Sequence, residues 1–309
     1  MIETLKYRSC KVCERLKNQP LTIPICIPTY GRPDSAMSKV WKANPELPCI
    51  FFVRAEQKEL YQNLKSSGAK IVYLKNVTNI GDTRRKICDW AITKGYTDIF
   101  MFDDRVKRVS VLAPRLSRTG RYNMGTVPEY KSIVDALRLW EYLIKLYTPD
   151  ISGCPHSGYT FDINNAGQSP KRFGVDCQIA IHLNVNNLYQ NGIKYKDVEI
   201  CGSEDAQINF DILEAKLKYM VFLDLEYDNI PSSDDLKGGI SGVEQNSRKE
   251  RFTTYCTRFM KNICGENHPG VKIKEDKRGI PYIRFNWAYY RKRNGVIEVE
   301  PNYSKYQRL

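Results

Sequence analysis

The feature that most restricts how this chain can fold is a series of four short apolar runs, each followed by a stretch of helical character. Residues 21–30 (LTIPICIPTY), 49–54 (CIFFVR), 70–74 (KIVYL) and 97–102 (TDIFMF) are too short for buried helices. They are also too continuously apolar for strands with one wet face, and read as strands covered on both sides. Strands alternating with helices predict an α/β fold: a mostly parallel sheet with helical layers on both faces. A helix is expected to begin around Pro33 to Ser35, and a second to end at Gly68. A third is expected over Gly81 to Lys94, where Ile87, Trp90 and Ala91 recur at helical spacing before Gly95.

Beyond the fourth run, residues 106–127 are polar, basic and without a clear period, and read as a loop or an irregular strand pair. An amphipathic helix is expected from Val127 or Pro128 to about Tyr147, with Ile133, Leu137, Trp140, Leu143 and Ile144 turned toward the sheet. Strands follow at residues 178–183 and 219–223. Between them a helix starts after a Gly202 or Ser203 cap. The expected organisation is a basic segment over residues 1–20, an α/β body over 21–230 and a basic, aromatic extension over 231–309.

Charge narrows the partners. Of the net charge of +13, the first 150 residues hold +11, from 26 basic and 15 acidic side chains. Arg105, Lys107, Arg108, Arg115, Arg118 and Arg121 follow one another with no acid between them. Near the end, Lys272, Lys274, Arg284 and Arg291 to Arg293 are interleaved with Tyr282, Phe285, Trp287, Tyr289 and Tyr290. Both stretches read either as solvated surface or as a footprint for a polyanion, the second combining phosphate contacts with base stacking. No run of about 20 apolar residues exists for a membrane span. The charged start lacks the apolar centre of a secretory signal, so a cytoplasmic location is expected and a membrane partner is not. Among ten cysteines, Cys10 and Cys13 form a C-x2-C pair and Cys264 with His268 a C-x3-H pair. These four either complete a structural zinc site or are unrelated residues.

The residues with most chemical content are carboxylates. The fourth run ends in Asp103-Asp104-Arg105, and the ligand crevice of an open α/β sheet lies beyond such strand ends. Glu204 and Asp205 stand in the first turn expected after the Ser203 cap, where the helix dipole favours negative charge. Taken singly, the first pair also reads as a turn and the second as capping. Asp162, Asp176 and His182 are weaker candidates, with structural roles expected.

Three segments, IPICIPTYGRP, DIFMFDD and GSEDAQINFDIL, resemble the nucleotide-sugar-binding architecture called GT-A. More narrowly, NIGDTRRKICDWAITKGYTDIFMFDDRV and IPYIRFNWAYY are similar to the TET-associated glycosyltransferases of phages, relatives of the base J glucosyltransferase. At fold level the resemblance covers roughly residues 21–225. It implies a Rossmann-like GT-A fold and an inverting transfer from a UDP-sugar. Thr29 and Tyr30 would meet the nucleoside, and Arg84 the uracil or diphosphate. Asp103 and Asp104 would hold the ribose hydroxyls and, with magnesium or manganese, the diphosphate. Asp205 would be the base, and Glu204 would orient the acceptor or support the helix.

One position departs from the resemblance. Similar enzymes carry a third acid where this chain has Arg105. Either Asp104 still holds a cation, or the Arg105 guanidinium neutralises the leaving diphosphate itself. The implied acceptor is DNA, at the hydroxymethyl group of 5-hydroxymethylcytosine first and 5-hydroxymethyluracil second. Arg108, Arg115, Arg118, Lys272, Lys274, Arg284 and Trp287 are the expected DNA contacts. A saccharide or protein acceptor, and a nucleic-acid-binding protein without activity, are the alternatives.

Overall fold

All four apolar runs are neighbours in one sheet. The computed structural model describes residues 8–116, 122–126, 132–157, 177–230 and 248–295. Strands β1 (Ile25–Thr29), β2 (Cys49–Arg54), β3 (Lys70–Leu74) and β4 (Asp98–Phe102) run parallel, with β1 between β2 and β4. Strands β5 (Val106–Leu116) and β6 (Tyr122–Thr126) leave the sheet, which is completed by β7 (Ile151–Gly153), β8 (Ala180–Asn184) and β9 (Tyr219–Val221). The order is β3-β2-β1-β4-β8-β7-β9, with β8 antiparallel to both of its neighbours. The expected mostly parallel sheet flanked by helices is therefore present.

The alternation of side chains along each strand divides the core in two. Ile25, Ile27, Phe51, Val53, Phe100 and Phe102 face one side. There they meet Val12, Cys13 and Leu16 of α1 (Arg8–Leu16) and Leu137, Trp140 and Ile144 of α5 (Ile133–Tyr147). Between these helices in sequence lie α2 (Ala36–Ala43), α3 (Gln62–Ser66) and α4 (Ile80–Thr93). On the other side, Cys26, Ile50, Phe52, Ile99 and Met101 meet Ile87 and Ala91 of α4. That second face also receives α6 (Val185–Gln190), α7 (Val198–Cys201) and α8 (Glu204–Glu214). The C-terminal elements join it too: Phe259 ends α9 (Arg248–Phe259), and Tyr290 lies on α10 (Trp287–Asn294).

Polar contacts fasten these layers where water is excluded. Glu141 of α5 is 4% exposed and accepts from Thr22 N (2.8 Å), Ile23 N (2.8 Å) and Thr22 Oγ1 (2.9 Å), fixing the chain as it enters β1. His182 on β8 is fully buried. Its Nε2 lies 2.8 Å from Asp98 Oδ1 and its Nδ1 3.3 Å from Ser152 Oγ, which accepts from Trp140 Nε1. This chain of contacts crosses β4, β8 and β7 and gives His182 a structural role.

Of the two readings of residues 106–127, the irregular strand pair is the one present over 106–116 and 122–126: β5 pairs with β6 and with β10 (Leu225–Asn229). Val106 and Val109 are three apart yet both fully buried, because the register with β10 slips at Asp228 and Asn229 and leaves Lys107 without a partner opposite. Such a bulge breaks the period of two that would have announced the strand. Helix α5 begins at Ile133, later than expected, because Ser132 Oγ accepts from Val134 N (3.1 Å) and caps it there.

Candidate functional site

Strands β1 and β4 deliver Thr29 and the Asp103-Asp104 pair to the same end of the sheet. Asp104 is 1% exposed. Its Oδ2 accepts from Thr29 Oγ1 (2.8 Å) and pairs with Arg32 Nε (3.2 Å), while Thr29 Oγ1 also lies 2.9 Å from the Tyr61 hydroxyl. Burial pushes the Asp104 carboxyl up, and the charge of Asp103 adds to this against the pull of Arg32 and Thr29. Asp103 is the opposite case. Burial raises it as well, but Arg105 more than offsets this, so that Asp103 is held below the usual carboxylate range. Its Oδ1 accepts from Arg105 N (3.0 Å) and Nε (3.3 Å), and its Oδ2 from Nη2 (3.0 Å). Asp103 N donates to Ile179 O (2.7 Å). Ile179 has φ +48°, a left-handed conformation that a β-branched residue rarely adopts and that marks stored strain beside the site.

The second acid pair is set by a helix cap. Ser203 Oγ accepts from Ala206 N, which puts Glu204 and Asp205 in the first turn of α8 as expected. Arg84, in the first turns of α4 and 4% exposed, pairs with Asp205 Oδ1 and lies 3.7 Å from Glu204 Oε1. Its guanidinium also sits 5.7 Å from the Tyr195 ring centre. Burial opposes the charge on Arg84, but Asp205 and Glu204 outweigh it and raise its pKa. Glu204 is pushed up to about 7 by burial and by Asp205, against the pull of Arg84. Helix α4 is held close to this region. Asn79 Oδ1 caps it at Asp82 N, Asn79 Nδ2 donates to Asp197 Oδ1 (2.8 Å), and a Cβ on Gly81 would come within 2.2 Å of Lys196 O.

Both acid pairs line one cleft of about 550 Å³, together with Thr29, Tyr30, Arg32, Arg54, Arg84 and Arg105. Arg54 lies over the Tyr30 ring at 4.6 Å. The opposite wall comes from the C-terminal region: Arg251, Phe252, Tyr255 and Cys256 of α9, and Tyr282 and Ile283 of β12 (Pro281–Phe285), the partner of β11 (Val271–Glu275). Gly202 fixes that wall. It has φ +76°, and a Cβ there would fall 2.6 Å from Tyr255 Cα. Helix α9 is thus seated directly on the turn before Glu204.

Each donor-site and catalytic residue expected from sequence, Thr29, Tyr30, Arg84, Asp103, Asp104, Arg105, Glu204 and Asp205, therefore lies on this cleft. Thr29 is buried, with its hydroxyl committed to Asp104 and Tyr61, so that it positions the acid. The expected DNA contacts are scattered. Arg108 is half-exposed on β5, away from the cleft lining, and pairs with Glu226 (3.5 Å) and Asp228 (3.7 Å). Lys272, Lys274 and Arg284 are exposed on the β11–β12 hairpin. Trp287 is not an open stacking platform: half-buried, its ring packs 5.5 Å from Tyr219 and 5.7 Å from Phe285. The Arg115 side chain, Arg118, Arg121, Asp162 and Asp176 lie outside the described residues.

Zinc at the cysteine pairs is overturned by topology. Cys13 is buried in the core on one face of the sheet, whereas Cys264 packs against the core on the other. His268 has both ring nitrogens engaged, Nδ1 accepting from Gly270 N (3.1 Å) and Nε2 lying 3.4 Å from Glu214. The Cys10 side chain is outside the described set. For a divalent cation at the strand-end acids the fit is narrower than the resemblance implied. Among the described residues no three His, Cys, Asp or Glu side chains converge, and Arg105 occupies both oxygens of Asp103. Of the strand-end carboxylate oxygens, Asp104 Oδ1, buried and without a hydrogen-bond partner among the described residues, is the one that could serve as a ligand. Single-carboxylate attachment suits a hydrated magnesium or manganese ion whose other ligands are substrate phosphates.

Sequence reasoning missed Arg32, Arg54, Arg251, Phe252 and Tyr255 on the cleft, and Tyr61 behind Thr29. Arg32 carried a signal, since it follows Thr29 and Tyr30 in the strand-end turn. The others come into place through long-range packing with no local pattern.

No family model matches the chain. A curated protein, the tRNA-modifying protein YgfZ of Blochmanniella pennsylvanica (strain BPEN), is 28% identical over 140 residues, which are 45% of this chain and 40% of that protein. The chain thus spans less than half the length of this relative. Among solved structures, Staphylococcus aureus TarS 1–349 superposes with a TM-score of 0.44 at 11% identity, covering 78% of this chain and 71% of that one. The same protein in complex with UDP gives 0.42 at 12% identity, covering 78% and 66%. A putative nucleotide-diphospho-sugar transferase from Desulfovibrio desulfuricans G20 gives 0.38 at 10% identity, covering 76% and 94%. These likenesses are distant, and the functional reading rests on the site itself.

Proposed function

We propose that this chain is a glycosyltransferase that moves a sugar from a UDP-sugar onto the hydroxymethyl group of a modified pyrimidine in DNA, with 5-hydroxymethylcytosine the first candidate and 5-hydroxymethyluracil the second. One observation carries the reading. Two acid pairs, Asp103-Asp104 and Glu204-Asp205, line a single cleft at the carboxyl ends of parallel strands, each with an arginine set against it. The segments that resemble GT-A and phage glycosyltransferases are the ones that build this cleft.

The transfer asks for a proton acceptor, for neutralisation of the leaving diphosphate and for a seat for the nucleoside, and residues lining the cleft are suited to each. The acceptor hydroxyl oxygen bonds to the anomeric carbon as the bond from that carbon to the diphosphate breaks, and UDP departs with the electron pair. Asp205 takes the acceptor proton; a carboxylate serves because the proton becomes acidic only as the new bond forms. Arg105 and Arg84, which line the cleft, neutralise charge growing on the diphosphate in this reading, and a guanidinium matches phosphate oxygens two at a time. A divalent cation, held through Asp104 Oδ1, would supply further neutralisation there. Displacement in a single step predicts inversion at the anomeric carbon. Tyr30 under Arg54 is suited to the planar uracil.

The test is nucleoside mass spectrometry after incubating the protein with a panel of UDP-sugars and hydroxymethylated DNAs, with and without EDTA. The expected result is a mass increase of one sugar on the hydroxymethyl nucleoside, absent with Asp205→Asn. Modification of a saccharide or protein with DNA untouched would move the reading to another acceptor.

A further inference from the structure

We infer that the C-terminal wall of the cleft receives an unpaired base of a single DNA strand, stacked on Tyr282, and that one face of the β11–β12 hairpin carries the phosphates of the same strand. The inference rests on the proposed DNA acceptor and adds where that acceptor lies.

The register of the hairpin sorts its side chains into two faces. Val271 pairs with Phe285 and Ile273 with Ile283, and Val271 and Phe285 are buried against the body. On the other face Lys272 pairs with Arg284 and Lys274 with Tyr282, and all four are exposed. No acid shares that face. Glu275 falls on the first face, and Asp276, in the turn, pairs with Arg278 (2.9 Å). Tyr282 is 38% exposed, an aromatic ring left in water where it lines the cleft. Three cations and one aromatic ring on a single strip, with the ring at the cleft edge, are the parts needed to track a backbone and stack one base.

The rest of the wall continues the same chemistry. Phe252 and Tyr255 of α9 line the cleft with ring centres 5.9 Å apart, and Arg251 lies on the same wall. Because Gly202 seats α9 on the turn before Glu204, these rings stand beside the acid pair. A base held there by its faces would turn its edge substituent toward Asp205. A base stacked within a duplex has no free face to offer Tyr282, so the base must be extruded or come from an open strand. An aromatic wall would also suit the face of a sugar ring. The three cations favour the polyanion.

The test is fluorescence anisotropy of a fluorescein-labelled single-stranded 12-nucleotide DNA with the full chain and no donor, over a series of salt concentrations. Tyr282→Ala is expected to weaken binding roughly 5- to 100-fold, as loss of one stacked base does, with the salt slope unchanged. Tyr282→Phe, which keeps the ring, is expected to stay within about twofold. Lys272→Ala with Arg284→Ala is expected to flatten the slope of log affinity against log salt by about 1.4, the loss of two single-strand phosphate contacts. Thermal melts of Tyr282→Ala and Tyr282→Phe at the same temperature establish that lost binding is not lost folding. Equal binding by Tyr282→Ala and wild type would overturn the inference. So would absence of DNA binding at low salt alongside Tyr282-dependent binding of a soluble oligosaccharide such as maltohexaose. Because the assay contains no donor, failure of sugar transfer in the mass-spectrometric experiment leaves this result standing by itself, and the reverse also holds.

Discussion

Arg84 in the first turns of α4 pairs with Asp205 in the first turn of α8, tying together two helix starts 121 residues apart in sequence. Since both partners are largely buried, the pair is worth more to the fold intact than its net energy suggests. Removing Arg84 leaves Asp205, with Glu204 beside it, without its guanidinium, at a cost of about 3–5 kcal/mol. Arg84→Met is therefore expected to lower the melting temperature and abolish transfer. The double variant Arg84→Met with Asp205→Asn should recover a good part of the melting temperature and none of the transfer. Calorimetric melts and sugar transfer on the three proteins check this, and a double variant no more stable than Arg84→Met would refute the coupling.

Asp205→Asn by itself keeps the shape of the residue and removes the proton acceptor. Transfer is expected to fall by about 10²- to 10⁴-fold, the usual worth of a positioned base. UDP affinity measured by calorimetry should change by no more than a few-fold. A variant that transfers sugar at the wild-type rate would remove Asp205 from the mechanism.

Glu204 makes stability depend on pH. Its carboxyl stands at about 7 in the folded chain, against about 4.3 when unfolded. Between those values the folded chain keeps a proton that the unfolded chain has lost, so stability falls as pH rises from about 4 to about 7. Glu204→Gln is expected to stabilise the protein by about 1–2 kcal/mol at pH 8, with the gain vanishing near pH 4. Urea titrations at the two pH values measure it. A gain independent of pH would show that Glu204 does not carry the dependence.

Arg105 is expected to set how strongly transfer depends on a cation. Removing its guanidinium frees Oδ2 of Asp103 and leaves Oδ1 only the backbone N–H of residue 105, so that Asp103 would then offer a second carboxylate beside Asp104 Oδ1. The ratio of transfer with magnesium to transfer with EDTA is expected to be larger for Arg105→Ala than for wild type, by about tenfold if the change is worth about 1.4 kcal/mol. Equal ratios would place Arg105 outside the charge balance of the leaving group.

Gly202 and Gly192 separate backbone strain from contact. Both have positive φ, +76° and +72°, but a Cβ meets Tyr255 at the first and nothing within 4 Å at the second. Gly192→Ala is expected to cost about 1–2 kcal/mol and leave transfer intact. Gly202→Ala should cost more and impair transfer, because it lifts α9 from the cleft. Equal effects would mean that α9 is not held by this contact.

The first four strands were readable because their surroundings are apolar on both faces, which leaves a plain mark on the sequence. The same holds for the acids, since Asp103 and Glu204 sit at element ends where a strand run stops or a cap begins. The start of strand β5 was disguised by the bulge at Lys107, which the register with β10 skips and which shifts the period there. Tyr61 and Tyr255 were hidden for another reason. Their roles come from what lies opposite them, Thr29 in one case and Gly202 in the other, and no local pattern reports a partner that distant. Trp287 misled because an aromatic residue amid arginines looks the same in sequence whether its ring faces water or Tyr219.

Strand β8 lies between β4 and β7, although both precede it in the chain. During synthesis β4 therefore leaves the ribosome with one edge unpaired and must wait for residue 180. At ordinary elongation rates that interval is on the order of ten seconds. For that time the nascent protein presents an apolar strand edge beside the future acid pair, a natural target for chaperones and for misassociation between neighbouring chains. Yield in a host should therefore respond to chaperone supply and growth temperature more than to the equilibrium stability of the finished fold.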